Sequence, residues 1–347
     1  MEWSCPRAIG GTVTSVKRFL KRVLAGVGVL VVVLVAFCAW VYVERIAGPP
    51  LMEQNEFHPF RTAQARTTFL AHERALAKAW PVPPEERLVK TSFGSTFMRV
   101  SGPSEAPPLV LLPGGGSTSL VWKANVAALS SAWRVYALDN IYDVGQSIST
   151  REIRTGADFA AWLDELFDAL DLGSCVRIAG YSYGGFVASQ YALAHPERTA
   201  RLVLLAPAGT VMPIPGPTLT RMVLSLIPAR PFVSHVMYWI WDDLARSGDA
   251  GRSLVEERVE FVQLSYDSFK FKPGVPPDVL SDAQLANLGP TLFLIGAHEK
   301  ICDPNAAIAR LQQVAPKVQT GLIAETGHDL MFTHADLVNQ RVLEFLK

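Results

Sequence analysis

The chain has 347 residues, is 49% hydrophobic, and balances 32 basic against 32 acidic side chains. Zero formal net charge excludes a protein that holds nucleic acid through a generally basic surface. The length allows one large or two modest domains with an ample core.

Residues 1–22 carry Arg7, Lys17, Arg18, Lys21 and Arg22 against only Glu2, a basic tail. From Leu24 to Val43 there is no Asp, Glu, Lys, Arg or His, and only the Cys38 thiol and the Tyr42 phenol could ionise, both neutral near pH 7; such a run of helix rises about 30 Å, the thickness of a bilayer core. The pattern predicts a transmembrane anchor over 23–43, with Trp40 and Tyr42 in the interfacial belt. The basic tail places the N-terminus in the cytoplasm and everything after Glu44 on the outer side, periplasmic or extracellular. A cleaved signal peptide would have a shorter apolar region and a small-x-small site, which neither Ala39 nor Ala47 supplies. Phe37 before Cys38 does not suit a lipoprotein signal.

Residues 44–85 are expected to be a linker with one packed helix. Gly48-Pro49-Pro50 ends the span, Phe69, Leu70, Leu76 and Ala79 recur at helical spacing, and Trp80-Pro81-Val82-Pro83-Pro84 closes the segment. Residues 86–347 follow as an α/β domain. Arg87 to Val100, broken at Gly94, predicts a hairpin. Short apolar strands are expected at Leu109–Leu112, Val135–Leu138, Val176–Ala179, Leu202–Leu205, Leu292–Ile295 and Gly321–Ile323. Phe159, Trp162, Leu163, Leu166, Phe167 and Leu170 form a helix stripe, with Asp158, Asp164, Glu165 and Asp168 on its solvated side. Leu337 to Phe345 predicts a closing amphipathic helix. Between Ala206 and Leu288 the alternation gives way to prolines and bulky side chains, read as a helical cap over about 207–288. Continuously apolar strands alternating with helices define a mostly parallel sheet covered on both faces, which binds ligands beyond its strands' C-terminal ends.

The chemistry is concentrated at those ends. Gly180-Tyr181-Ser182-Tyr183-Gly184, then Gly185, joins a strand to a helix, the setting of a nucleophile elbow that presents a serine Oγ at the top of the sheet. A serine needs a base, and His328 follows the last strand at the same rim. The base needs an acceptor for its other nitrogen. Glu299 lies directly past the strand at Leu292 and is the expected acid, whereas Asp303, ahead of Pro304, suits a helix cap and is the alternative. Backbone N–H groups of Tyr183 and of Gly115, in Pro113-Gly114-Gly115-Gly116, are expected to form the oxyanion hole. That glycine loop lacks the spacings of a phosphate cradle. No metal-ligand spacing occurs. Cys175 and Cys302 sit at opposite strand ends, roughly 17 Å apart in level, too far for a disulfide.

With these residues placed, the chain resembles the α/β-hydrolase superfamily, and from about Phe57 onward its bacterial carboxylesterase-like branch. The similar features are Trp80-Pro81-Val82-Pro83, the strand Leu109–Leu112 with its glycines and Trp122, the elbow, Gly296-x-His298-Glu299 with Asp303-Pro304, and Gly327-His328. The resemblance implies a Ser182–Glu299–His328 triad and no cofactor. It departs from the family at Pro113, where histidine usually supports the oxyanion loop, and at Tyr142, where glycine is usual. The expected activity is hydrolysis of a small ester with an apolar acyl group. Amidases, acyltransferases, carbon–carbon hydrolases and cofactor-free haloperoxidases share the triad, and a non-catalytic ligand receptor is the alternative of another class.

Overall fold

The computed structural model describes Met1, Val32, residues 60–270 and residues 274–347. The chain divides into two compact units, Met1–Pro49 and Pro50–Lys347, and every described residue except Met1 and Val32 belongs to the second. The tail and the span predicted over 23–43 therefore lie outside the described residues, those two apart. Among the described residues no helix is long and apolar enough to cross a membrane.

The predicted hairpin forms as β1 (Glu85–Thr91) and β2 (Gly94–Ser101), paired antiparallel. The remaining strands are β3 (Pro108–Leu112), β4 (Arg134–Leu138), the short β5 (Ile148–Ser149), β6 (Val176–Tyr181), β7 (Thr199–Leu205), β8 (Thr291–Gly296) and β9 (Gln319–Ile323). Their order is β1-β2-β4-β3-β6-β7-β8-β9, with β5 beside β2. From β4 to β9 every neighbouring pair on this path is parallel. From β3 the chain moves outward to β4, whereas from β6 it moves the opposite way to β7. The crevice above β3 and β6 is thus a topological switch point, where open α/β sheets bind ligands. The glycine loop leaves β3 there and the elbow leaves β6.

The helices are α1 (Ala63–Ala77), α2 (Val126–Ser130), α3 (Gly156–Ala169), α4 (Tyr183–Ala194), α5 (Gly216–Ser225), α6 (Arg230–Ile240), α7 (Asp242–Arg246), α8 (Asp249–Ser268), α9 (Asp282–Ala286), α10 (Pro304–Val314), α11 (Leu330–Thr333) and α12 (Ala335–Leu346). Alternate strand residues feed two cores, because successive side chains point to opposite faces. Val110, Ile178, Leu204 and Phe293 join Phe159, Trp162, Phe186 and Leu311 on one face. Leu109, Leu111, Val203 and Leu294 join Trp122, Trp133, Val338 and Leu346 on the other. Burial on both sides explains why these strands read as continuous apolar runs rather than alternating ones.

The stripe on α3 is buried as its spacing required, but its acidic side is more than a solvated face. Asp158 completes a capping box with Thr155, Glu165 accepts from the Ser92 N–H and hydroxyl at the hairpin turn, and Asp164 and Asp168 pair with Arg198.

The cap consists of α5 to α8. Phe69 of α1 packs against Phe261 of α8 and Phe269 just beyond it, so the helix expected before the domain is fastened to the cap. The segment 275–288, read from sequence with the cap, instead returns to the main core through Val275, Leu280, Leu285 and Leu288. Beneath α1 lies a buried ionic cluster with no counterpart in the sequence reading. Glu73 faces Arg99 at 3.4 Å, Arg99 donates to Ser119 Oγ, and Asp139 accepts from Ser119 and Gln146.

Candidate active site

The C-terminal ends of the six parallel strands β3, β4, β6, β7, β8 and β9 reach one rim, and the loops beyond β3, β6, β8 and β9 carry the candidate groups. The elbow follows from backbone geometry. Ser182 has φ 51° and ψ −117°, a region costly for a residue with a Cβ, by about 1–3 kcal/mol. Its N–H is tied to Leu205 O at 2.9 Å, and its carbonyl accepts from Gly185 N and Ala208 N. The turn leaves no room around it: a Cβ on Gly180 would lie 2.2 Å from Gly184 O, one on Gly184 2.4 Å from Leu112 O, and one on Gly185 2.6 Å from the Pro207 ring. Those contacts, rather than flexibility, fix glycine on both sides of the serine.

The loops after β8 and β9 are joined in the same way. His298 N donates to Thr326 O, and Ala297 N to Ile323 O. A Cβ on Gly296 would lie 2.3 Å from Thr326 O, so glycine at the end of β8 permits the close approach. His328 is thereby held over Ser182: the Ser182 Oγ and His328 Nε2 are 2.9 Å apart, and His328 Nδ1 lies 3.0 Å from Glu299 Oε2. The other oxygen, Glu299 Oε1, accepts from Lys300 N at 2.8 Å and Ile301 N at 3.0 Å. Burial alone would raise the Glu299 carboxyl. The His328 imidazole and these N–H donors outweigh burial, and its pKa falls below the ordinary value. His328 and Glu299 are buried while Ser182 is half-exposed, the distribution wanted when a substrate must reach only the nucleophile.

Asp303 is elsewhere. Its Oδ1 accepts from Asn305 N and Ala306 N at the start of α10, a helix cap. His298 also points away, to Asp243 at 3.0 Å. Cys175 and Cys302 are free thiols.

The glycine loop lies against the elbow. A Cβ on Gly114 would come 3.3 Å from Ser182 Cβ, and one on Gly115 3.5 Å from Tyr183 Cβ. Tyr183 opens α4, so its N–H has no intrahelical acceptor, and among the described residues none is recorded for Gly115 N–H either. The peptide between Gly115 and Gly116 is gripped at both ends. Arg258, from cap helix α8, donates to Gly115 O at 3.3 Å, while Gly116 N donates to Asp143 Oδ2 at 2.8 Å. Burial pushes the Asp143 carboxyl up to about 6, against the hydrogen bonds from Val144 and Gly116 and the field of Arg258. Arg258 also lies over Trp241 and Phe261, beside a cavity of about 60 Å³ lined by Ser117, Thr118, Leu120, Trp241 and Phe332.

Two further residues hold the histidine loop. Tyr181 donates its hydroxyl to His328 O at 2.9 Å. Asp329 accepts from Gly327 N and from Leu244 N of the cap. Neither was singled out in the sequence, nor were Asp143 and Arg258. Of these, only Asp329 carried a signal, its place directly after Gly327-His328.

A parallel sheet with a strained strand–serine–helix turn, and with acid and histidine arriving in that order at one rim, defines an α/β-hydrolase. Residues 107–335 match the family described as alpha/beta hydrolase fold, and the chain belongs to that superfamily, in its bacterial carboxylesterase-like branch, as a hydrolase. It is 34% identical over 281 residues to the carboxylesterase YbfK of Bacillus subtilis strain 168, covering 80% of this chain and 93% of that one. The crystal structure of the same carboxylesterase superimposes with a TM-score of 0.74 at 31% identity, over 82% of this chain and 99% of the other. The naproxen esterase (carboxylesterase NP) of Bacillus subtilis gives 0.75 at 30% identity, over 83% and 100%.

Proposed function

We propose that the protein is a serine carboxylesterase acting on a small ester through an acyl-enzyme on Ser182. The observation that carries this reading is the hydrogen-bonded series from Ser182 Oγ to His328 to Glu299, at 2.9 and 3.0 Å, beside two backbone N–H groups with no recorded acceptor among the described residues. Glu299, fixed by Lys300 N and Ile301 N, accepts from His328 Nδ1–H and leaves Nε2 with its lone pair toward Ser182. As Oγ bonds to the ester carbonyl carbon, its proton passes to Nε2. The negative charge on the carbonyl oxygen is met by Gly115 N–H and Tyr183 N–H. Collapse breaks the bond to the alkoxy oxygen, which takes the proton from Nε2 and leaves as alcohol. Water then gives a proton to Nε2 and its oxygen to the acyl carbon, and the second collapse breaks the bond to Oγ, which takes that proton back from Nε2 as the acid leaves. These steps use only protein groups and water. The same triad serves amidases, acyltransferases and carbon–carbon hydrolases, and the relatives named carboxylesterases favour an ester.

A fluorophosphonate probe tests the nucleophile. The folded protein is expected to be labelled, and Ser182→Ala to lose both labelling and turnover of p-nitrophenyl esters, leaving at most the roughly 10³-fold residual catalysis of an intact oxyanion hole. Equal labelling of the alanine variant sinks the proposal. The proposed setting is a single-pass anchor over 23–43 with the domain on the outer side, supported by the basic tail and the uncharged run. A reporter fused after Lys347 and found in the cytoplasm would overturn it.

A further inference from the structure

Helix α5 of the cap is built inside out. Its two buried side chains are polar, Thr218 and Ser225, seven positions apart on one face. Thr218 donates to Lys300 O and Ser225 to Met222 O. The apolar residues face outward instead: Leu219 is 52% exposed, Val223 55%, Leu224 40%, Leu226 38%, and Phe232 at the start of α6 41%. Leu219, Val223 and Leu226 recur at the spacing that aligns side chains along a helix. Five of the eleven large apolar residues that stand exposed among the described residues fall within this stretch. Elsewhere such residues are single, which is ordinary for a soluble surface, whereas a contiguous patch marks an interaction site.

We infer that this face of the cap lies on a lipid bilayer. Three observations select lipid over protein. From Arg198 to Trp241 the sequence has no Asp or Glu, while Arg221 and Arg230 are interspersed among the patch residues, the composition of a helix resting on an anionic interface. Arg221 lies over Trp239, while Arg230 pairs with Glu256 at the patch edge. The five side chains present roughly 400 Å² together, about half of what each partner of a standard dimer buries. The same chain also carries the uncharged run Leu24–Val43 preceded by its basic tail, a segment suited to holding the domain at a membrane. Through Thr218, α5 rests on the loop next to Glu299, so the contact sets the candidate site at the lipid surface.

The test uses the unit Pro50–Lys347, which is compact on its own and contains the whole sheet. Flotation with vesicles of phosphatidylcholine and phosphatidylglycerol is expected to carry it upward. In the triple variant Leu219→Ser, Val223→Ser, Phe232→Ser, the bound fraction should fall about tenfold or more, because insertion scales with buried apolar area. Turnover of the water-soluble p-nitrophenyl acetate should stay within about twofold, since none of the three touches the candidate triad. If the triple variant fails to fold, Val223→Trp alone reports: its added fluorescence should shift to the blue with vesicles. The inference is overturned if the wild-type unit stays with the aqueous phase, or if sedimentation shows a dimer that the triple variant dissolves, which would make the patch a contact between copies. Binding is read without turnover, so vesicle association by an inactive protein would fault only the esterase reading.

Discussion

Replacing Glu299 with Gln gives the sharpest test of the acid, because the surrounding donors dictate how the amide must sit. Oε1 accepts from both Lys300 N and Ile301 N. An NH₂ there would leave two N–H donors facing a donor, so the amide oxygen must take that position. The NH₂ then occupies the Oε2 position, 3.0 Å from His328 Nδ1, and requires a lone pair there. The imidazole proton is driven to Nε2, where it faces the Ser182 hydroxyl and cannot remove its proton. A wrong-tautomer lesion of this kind costs about 10³- to 10⁴-fold in kcat, about 4–5.5 kcal/mol of barrier. Asp303→Asn preserves an N-cap of equal quality and has no recorded contact with His328, so kcat should stay within about twofold. The assay is kcat on p-nitrophenyl butyrate for both variants, with circular dichroism to show that each is folded. A Glu299→Gln enzyme retaining more than about a tenth of wild-type kcat, or a larger loss in Asp303→Asn, refutes the assignment.

Arg258→Met and Asp143→Ala each free one end of the Gly115–Gly116 peptide, and each should lower kcat about 10- to 100-fold with little change in KM, less than loss of a whole oxyanion donor. An effect on KM alone would assign Arg258 to substrate binding. Gly180→Ala forces a Cβ to 2.2 Å from Gly184 O, so urea unfolding should show a loss of about 3 kcal/mol, and an unchanged midpoint would contradict the packing at the elbow. Burial, then the nearby Asp139, raise the Glu73 carboxyl from 4.5 to about 8, with Arg99 only partly offsetting them. The folded state therefore holds a proton that the unfolded chain releases. This contribution is complete below about pH 4.5 and is lost as pH rises through about 8, a swing of about 2–4 kcal/mol. Glu73→Gln should flatten it, measured as Tm between about pH 5.5 and 8.5, and an unchanged slope would deny that Glu73 is the group responsible.

Where the sequence was readable, the determinant was local or periodic. Strands β3, β6, β7 and β8 are buried on both faces, so each is an apolar run that needs no partner to be recognised. The elbow is a steric pattern within six residues, and Glu299 was separable from Asp303 because Pro304 marks the helix that Asp303 caps. Arg258 was not readable, because it meets the backbone carbonyl of Gly115 across 143 positions, and a carbonyl has no letter in the sequence. The direction of α5 was hidden for a different reason. Periodicity shows that its apolar residues share a face but not which way that face turns, and the usual inward assumption fails where Thr218 bonds to Lys300 O.

The loop beyond β3 shows what such hidden contacts accomplish. Pro113 offers no side-chain hydrogen bond where the family usually has histidine, so the glycine loop needs another support if Gly115 N–H is to hold its direction. The Gly115–Gly116 peptide has its carbonyl drawn by Arg258 and its N–H by Asp143, which fixes the plane on the far side of Gly115 and leaves the near N–H for its proposed role as an oxyanion donor. One of those two supports belongs to the core and the other to the cap. Asp329 adds a second tie of the same kind, accepting from Leu244 N of the cap beside His328. The cap therefore braces both the proposed oxyanion loop and the histidine loop. A substitution that loosens α8, such as Phe261→Ala against Phe69, should reduce kcat without touching any member of the triad.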